Sequence, residues 1–118
     1  ERLASNAGLL ERSLAAMVEA TRVINEVKAS GDKEKALANA TLYLDAFGQV
    51  IVGWLWLRQA QAALRGLQNG GERPASFYQG KLNACDYFLR YELPKPLALA
   101  EVLRSADRTT LDMPLDCF

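Results

Sequence analysis

The side chains able to do chemistry are few, and the commonest one is missing. The chain has no histidine, which removes the usual general base, the Ser-His and Cys-His nucleophile pairs and the commonest metal ligand. Lys81 falls at the centre of an apolar helical spacing, with Phe77, Ala84 and Phe88 around it. Desolvation can lower the pKa of such a lysine until it acts as a nucleophile. Its stem can equally pack on the aromatics while the ammonium reaches water or a carboxylate, with Asp45 the first partner expected. No second catalytic group accompanies it, which favours the packing role.

The other reactive groups point the same way. Cys85 and Cys117 are too few and too far apart for a disulfide framework or a zinc site. Asp107, Asp112 and Asp116 lie in an aperiodic tail, where acids serve solubility more often than metal binding. The aromatics Trp54, Trp56, Tyr78, Tyr87 and Tyr91 recur at helical spacing, the pattern of a core rather than a stacking site. No glycine-rich turn follows a strand, so no phosphate cradle exists. Neither a catalytic, a cofactor-binding nor a metal site is therefore expected in these residues.

The elements that position these side chains read as helices. Leu3, Ala7, Leu10, Leu14, Met17, Thr21 and Ile24 alternate at intervals of four and three over about residues 2–29. Ser30-Gly31 ends that segment and Asp32 caps the next. A second helix is expected over about 33–67, with Leu37, Ala40, Leu44, Phe47, Ile51 and Trp54 as its buried seam, widened on one side by Ala36, Tyr43, Val50, Leu57 and Leu64. The run Asn69-Gly70-Gly71-Glu72-Arg73-Pro74 is the clearest break. A third helix follows over about 74–93, with Phe77, Ala84, Phe88 and Tyr91 inward and Tyr78, Leu82, Cys85 and Leu89 beside them. Pro94 and Pro96 then interrupt the chain before a short fourth helix over about 96–106. No segment alternates with period two. The expected fold is all-α, an antiparallel up-and-down four-helix bundle.

The totals fit that picture. A chain of 118 residues, half of them hydrophobic, makes one domain with a modest core. Fourteen basic residues balance fourteen acidic ones, so no field draws it to nucleic acid or anionic lipid. The most apolar run, Ala46 to Leu57, is too short to span a bilayer by itself. Free cysteines suggest a reducing, cytoplasmic setting. The sequence begins already in helical periodicity, as a piece cut from a longer chain would.

One face of the second helix stands apart. Val52 and Trp56, flanked by Asp45 and Gln49, lie away from the expected seam. Another helix of this domain can cover them, or they can be an apolar docking point for a partner.

Two stretches carry a resemblance: YLDAFGQVIVGWLWLRQA from Tyr43 to Ala60, and FYQGKLNACDYFLRYELPKPLALAEVL from Phe77 to Leu103. The features are a helix centre with Gly48, Gly53, Trp54 and Trp56, a helix start with Phe77, Tyr78 and Lys81, and a Leu93-Pro94 helix end. The chain resembles the helical domain appended at the C-terminus of long flavin-dependent acyl-CoA dehydrogenases. The resemblance implies a parent oxidoreductase of fatty acid metabolism, a flavoprotein that uses FAD to dehydrogenate an acyl-CoA thioester. It implies that the catalytic and flavin-binding residues lie in preceding domains, so none is carried onto this chain. It also implies the parent's body, and possibly a second subunit, as partners. The rival readings are a free-standing helical interaction module and a small lipid or cofactor carrier.

Overall fold

The computed structural model describes residues 1–117, and among them there is helix and no strand. The helices are α1 (Arg2–Ala29), α2 (Lys33–Leu37), α3 (Ala40–Gln68), α4 (Ala75–Tyr87), α5 (Pro94–Ser105) and α6 (Thr109–Asp112). A π-helical turn, Phe88–Glu92, joins α4 to α5, and a 3-10 turn covers Leu115–Cys117. The molecule is a long slab of 63 × 31 × 19 Å.

The first boundary falls where the sequence places it. α1 ends at Ala29, and Gly31 takes the left-handed conformation (φ 98°) that a side chain would resist. Asp32 then accepts the Lys35 N–H at 2.9 Å as the cap of α2. The expected second helix is in fact two. Asn39 leaves helical geometry (φ −115°, ψ 30°), and its amide donates to the carbonyl of Asp107 at 3.2 Å. The tail is held against this break: Arg108 reaches Asp32 at 2.8 Å and Asp112 at 3.2 Å. It forms α6 where an aperiodic surface segment was expected.

The four long helices do not simply turn back one after another. Thr21 meets the Tyr43 hydroxyl at 2.9 Å, and Leu10 lies beside Gly53, so α1 and α3 run in opposite directions. Tyr78 sits against Gly66, whereas Leu89 and Leu93 sit against Gly53. Leu103, further along, lines a hollow with Thr21, Ile24 and Tyr43. α4 and α5 therefore continue in one direction, both opposed to α3. Pro94 does not reverse the chain, because the first turn of a helix needs no N–H partner. The π turn keeps its bonding, with the Leu93 N–H donating to the Phe88 carbonyl at 3.0 Å.

The core rotates the expected facing of α3: Val50, Tyr43 and Leu57 on the widened edge pack inward as expected, but the main seam does not. Its buried residues are the small ones, Ala46, Val50, Gly53, Ala60 and Ala63. The expected seam faces water: Leu44 is 69 % exposed and Trp54 46 %, with Phe47 and Ile51 exposed as well. A small-residue face lets neighbouring helices approach closely. A Cβ at Gly53 would stand 3.1 Å from Leu93 Cδ1 and 3.4 Å from both Leu10 Cδ1 and Leu89 Cδ2. The bulk of the core thus comes from the neighbours, Leu10, Met17, Leu82, Leu89, Leu93 and Leu103. Leu14 in α1 and Phe77 and Tyr91 in the third helical segment, expected inward, are also exposed.

By length and composition, the helical run Lys33–Gln68 is apolar enough to cross a membrane. One side of it is the packed face just described, as in the core helix of a globular domain.

Candidate functional site

The residues singled out around Trp56 lie on the flank of α3 that meets α4. Trp56 is half-buried, with the Lys81 ammonium 5.7 Å from its ring centroid. The same ammonium is 5.7 Å from the Phe77 ring. Two aromatic rings thus lie beside the cation, where a carboxylate or water was expected. Asp45 is exposed, and among the described residues Lys81 pairs with neither Asp45 nor another acid. The lysine is half-buried rather than enclosed. Val52 is exposed, and Gln49 is half-buried with its Oε1 lacking a hydrogen-bond partner. A shallow hollow of about 210 Å³ beside Lys81 is lined by Gln59, Ala62, Ala63, Phe77 and Tyr78.

A polar cluster between α1 and α4 went unread in the sequence. Asn6 is 1 % exposed, and its amide donates to Asp86 Oδ1 at 2.7 Å and to Cys85 Sγ at 3.9 Å. Arg2 completes the group, 2.7 Å from Asp86 Oδ2 and 2.9 Å from Asn83 Oδ1. Burial works against the Asp86 charge, but the hydrogen bonds from Arg2 and Asn6 outweigh it and hold the carboxyl below its ordinary pKa. Burial, with the Asp86 charge beside it, pushes the Cys85 thiol up to about 11. A thiol so protonated is a core residue and no nucleophile. The signal was present: Asn6 and Ser13 occupy the stripe Leu3, Asn6, Leu10, Ser13, Met17 at three- and four-residue steps.

A hollow of about 270 Å³ lies among α1, α2, α3 and α5, with Ile24, Ala36, Tyr43 and Leu103 in its walls, and a wider surface hollow of about 530 Å³ is lined by Lys35, Asp107, Arg108, Thr109 and Asp112. The first is below the range of about 300–1,000 Å³ usual for ligand sites, and the second is walled mainly by charged and polar side chains where such sites are mostly apolar. Among the described residues, no group of three metal-ligating side chains comes together. The arrangement is suited to packing and docking, and the feature that stands out is the apolar outer face of α3.

The profile described as acetyl-CoA dehydrogenase C-terminal like matches residues 1–114. The broad-specificity linear acyl-CoA dehydrogenase FadE5 of Mycobacterium tuberculosis (strain ATCC 25618 / H37Rv) is 34 % identical over 74 residues, which is 60 % of this chain. Those residues make up only 12 % of the relative's length. A match over nearly the whole chain settles membership: the chain belongs to the acetyl-CoA dehydrogenase C-terminal-like family.

Proposed function

We propose that this chain is the non-catalytic C-terminal structural domain of an FAD-dependent acyl-CoA dehydrogenase. The observation that carries the reading is the family match over residues 1–114, joined to a relative of which the matched segment is only 12 %. Most of such a relative lies outside the match, and that is where flavin and acyl-CoA would be held. In the parent, FAD would take the hydride removed from the acyl chain at its α–β bond. This chain has no histidine, and its half-buried lysine is turned onto two aromatic rings. Its contribution is to cover the body of the enzyme and shape how subunits pack. The setting is cytoplasmic, in fatty acid metabolism, with no membrane span.

Deleting these residues from the longer protein tests the assignment. The truncated enzyme is expected to keep bound flavin and acyl-CoA dehydrogenation per folded molecule, and to lose thermal stability or change subunit number. A truncated enzyme that stays folded and flavin-loaded but has no turnover would place a catalytic group in this chain and overturn the reading.

A further inference from the structure

Among the described residues, no element covers the outer face of α3. Leu44, Phe47, Ile51, Trp54 and Leu55 are exposed along it, at steps of three and four residues. The register set by Leu10 on Gly53 and Thr21 on Tyr43 brings the exposed Leu14 and Val18 of α1 alongside. From Ala46 to Leu57 there is no charged residue. The guanidinium of Arg58 closes one end, 5.2 Å over the Trp54 ring. Together these side chains leave on the order of 500–700 Å² of apolar surface in water, at or beyond the largest patch of an ordinary monomer.

The area argues for one occupant over the others. A free-standing dimer needs about 800 Å² from each partner, more than the stripe supplies. A covalently attached partner needs less, because a linker supplies an effective concentration in the millimolar range. The FadE5 relative has most of its length outside the matched segment, which would provide such a partner.

We propose that the outer face of α3, with Leu14 and Val18 of α1, docks onto an apolar, helix-built surface of the polypeptide that precedes this chain in the longer protein. The ridge of side chains spaced by three and four fits between the ridges of another helix. The Trp56 ring is not part of this surface, since the Lys81 ammonium of α4 stands over it and Trp56 is half-buried. The inference deepens the function proposed above and rests on it for the identity of the preceding polypeptide.

Side-chain footprinting by hydroxyl radicals, read by mass spectrometry, tests it on the longer protein and on the 118-residue chain. Phe47 and Trp54 are expected to label at least about fivefold less in the longer protein, as water is excluded from a docked face. Trp56, half-buried beside Lys81 in both, should change far less. Ile51→Glu in the longer protein should restore labelling of Phe47 and Trp54, with the helical circular dichroism unchanged. Equal labelling of the two residues in both proteins overturns the proposal. So does protection of the short chain that grows with its own concentration, which makes the occupant a second copy. Protection of the short chain only on adding phosphatidylcholine–phosphatidylglycerol vesicles overturns it in favour of lipid. Labelling reads docking whatever the preceding polypeptide proves to be, so a body that is no dehydrogenase defeats the proposed function and leaves this result standing.

Discussion

Replacing Gly66 with alanine sets helix propensity against packing. In the interior of a helix, Gly→Ala ordinarily stabilises by roughly 0.5–1 kcal/mol. Gly66 lies within α3, but a Cβ there would stand 2.5, 2.7 and 2.9 Å from Cε1, Cζ and Cδ1 of Tyr78. The ring is not free to swing aside. Its hydroxyl accepts the Arg73 N–H at 3.2 Å, Gly71 closes on the hydroxyl, and the Phe77 ring stands edge-on with centroids 5.5 Å apart. Either the ring leaves its slot or α4 shifts along α3. Overpacking of that kind costs about 1–3 kcal/mol, and losing the Tyr78 hydrogen bond costs about 1 kcal/mol more. After the propensity gain, a net destabilisation of about 2 kcal/mol is expected. Urea unfolding of the 118-residue chain at constant m-value reads it directly. In a Tyr78→Ala background the sign should reverse, with Gly66→Ala stabilising by about 0.5–1 kcal/mol. Gly48→Ala, whose Cβ meets nothing within 4 Å, is the control and should stabilise by the same amount, roughly 0.5–1 kcal/mol. A Gly66→Ala variant as stable as the Gly48→Ala one would refute the packing argument.

Three further outcomes follow from the same geometry. Leu89→Ala removes a fully buried side chain and should cost about 2–5 kcal/mol, whereas Leu44→Ala on the outer face should cost under about 1 kcal/mol; the reverse order in urea unfolding would restore the larger seam as the core. The Asp86 carboxyl is held below its ordinary value near 3.8, so its contribution to stability is present above that pH and is lost as pH falls through the lower folded value. Asp86→Asn should therefore be less stable than the parent at pH near 7, the gap closing towards about pH 3, and an equal gap at both pH values contradicts the Arg2–Asn6–Asp86 assignment. Lys81→Met exchanges a cation over two rings for a thioether of similar length, a change of no more than about 1 kcal/mol by denaturation; a larger loss would mean the ammonium has a stronger partner.

Boundaries were legible wherever one residue type forces the backbone. Gly31 and Asp32 end one helix and begin the next, and the turn from Asn69 to Pro74 lies where its composition puts it. The facing of α3 was legible only at one edge, where Tyr43, Val50 and Leu57 pack inward, for a physical reason. The helix carries two apolar stripes, and hydrophobic weight favours Leu44, Phe47, Ile51 and Trp54 over Ala46, Gly53, Ala60 and Ala63. Small residues win the interior because they let Leu10, Leu89 and Leu93 come close, a property of the partners that one helix's periodicity does not contain. The same limit hid the continuity of α4 and α5, since Pro94 reads as a break until its place in the first turn is known. It hid the pairing of Arg2 and Asn6 with Asp86 as well, which joins residues 80 or more positions apart. Trp56, off the expected seam, is half-buried beside Lys81 of α4, and the large seam residues are the ones left in water.

The absorbance spectrum of two purified proteins tests the central claim most directly: the longer polypeptide that contains these residues, and the 118-residue chain alone. The longer protein is expected to carry stoichiometric flavin, bleached on adding an acyl-CoA, and the short chain to carry none after mixing with FAD. A longer protein without flavin, or a short chain that binds it stoichiometrically, would contradict the assignment of this chain as the structural C-terminal domain of an FAD-dependent acyl-CoA dehydrogenase.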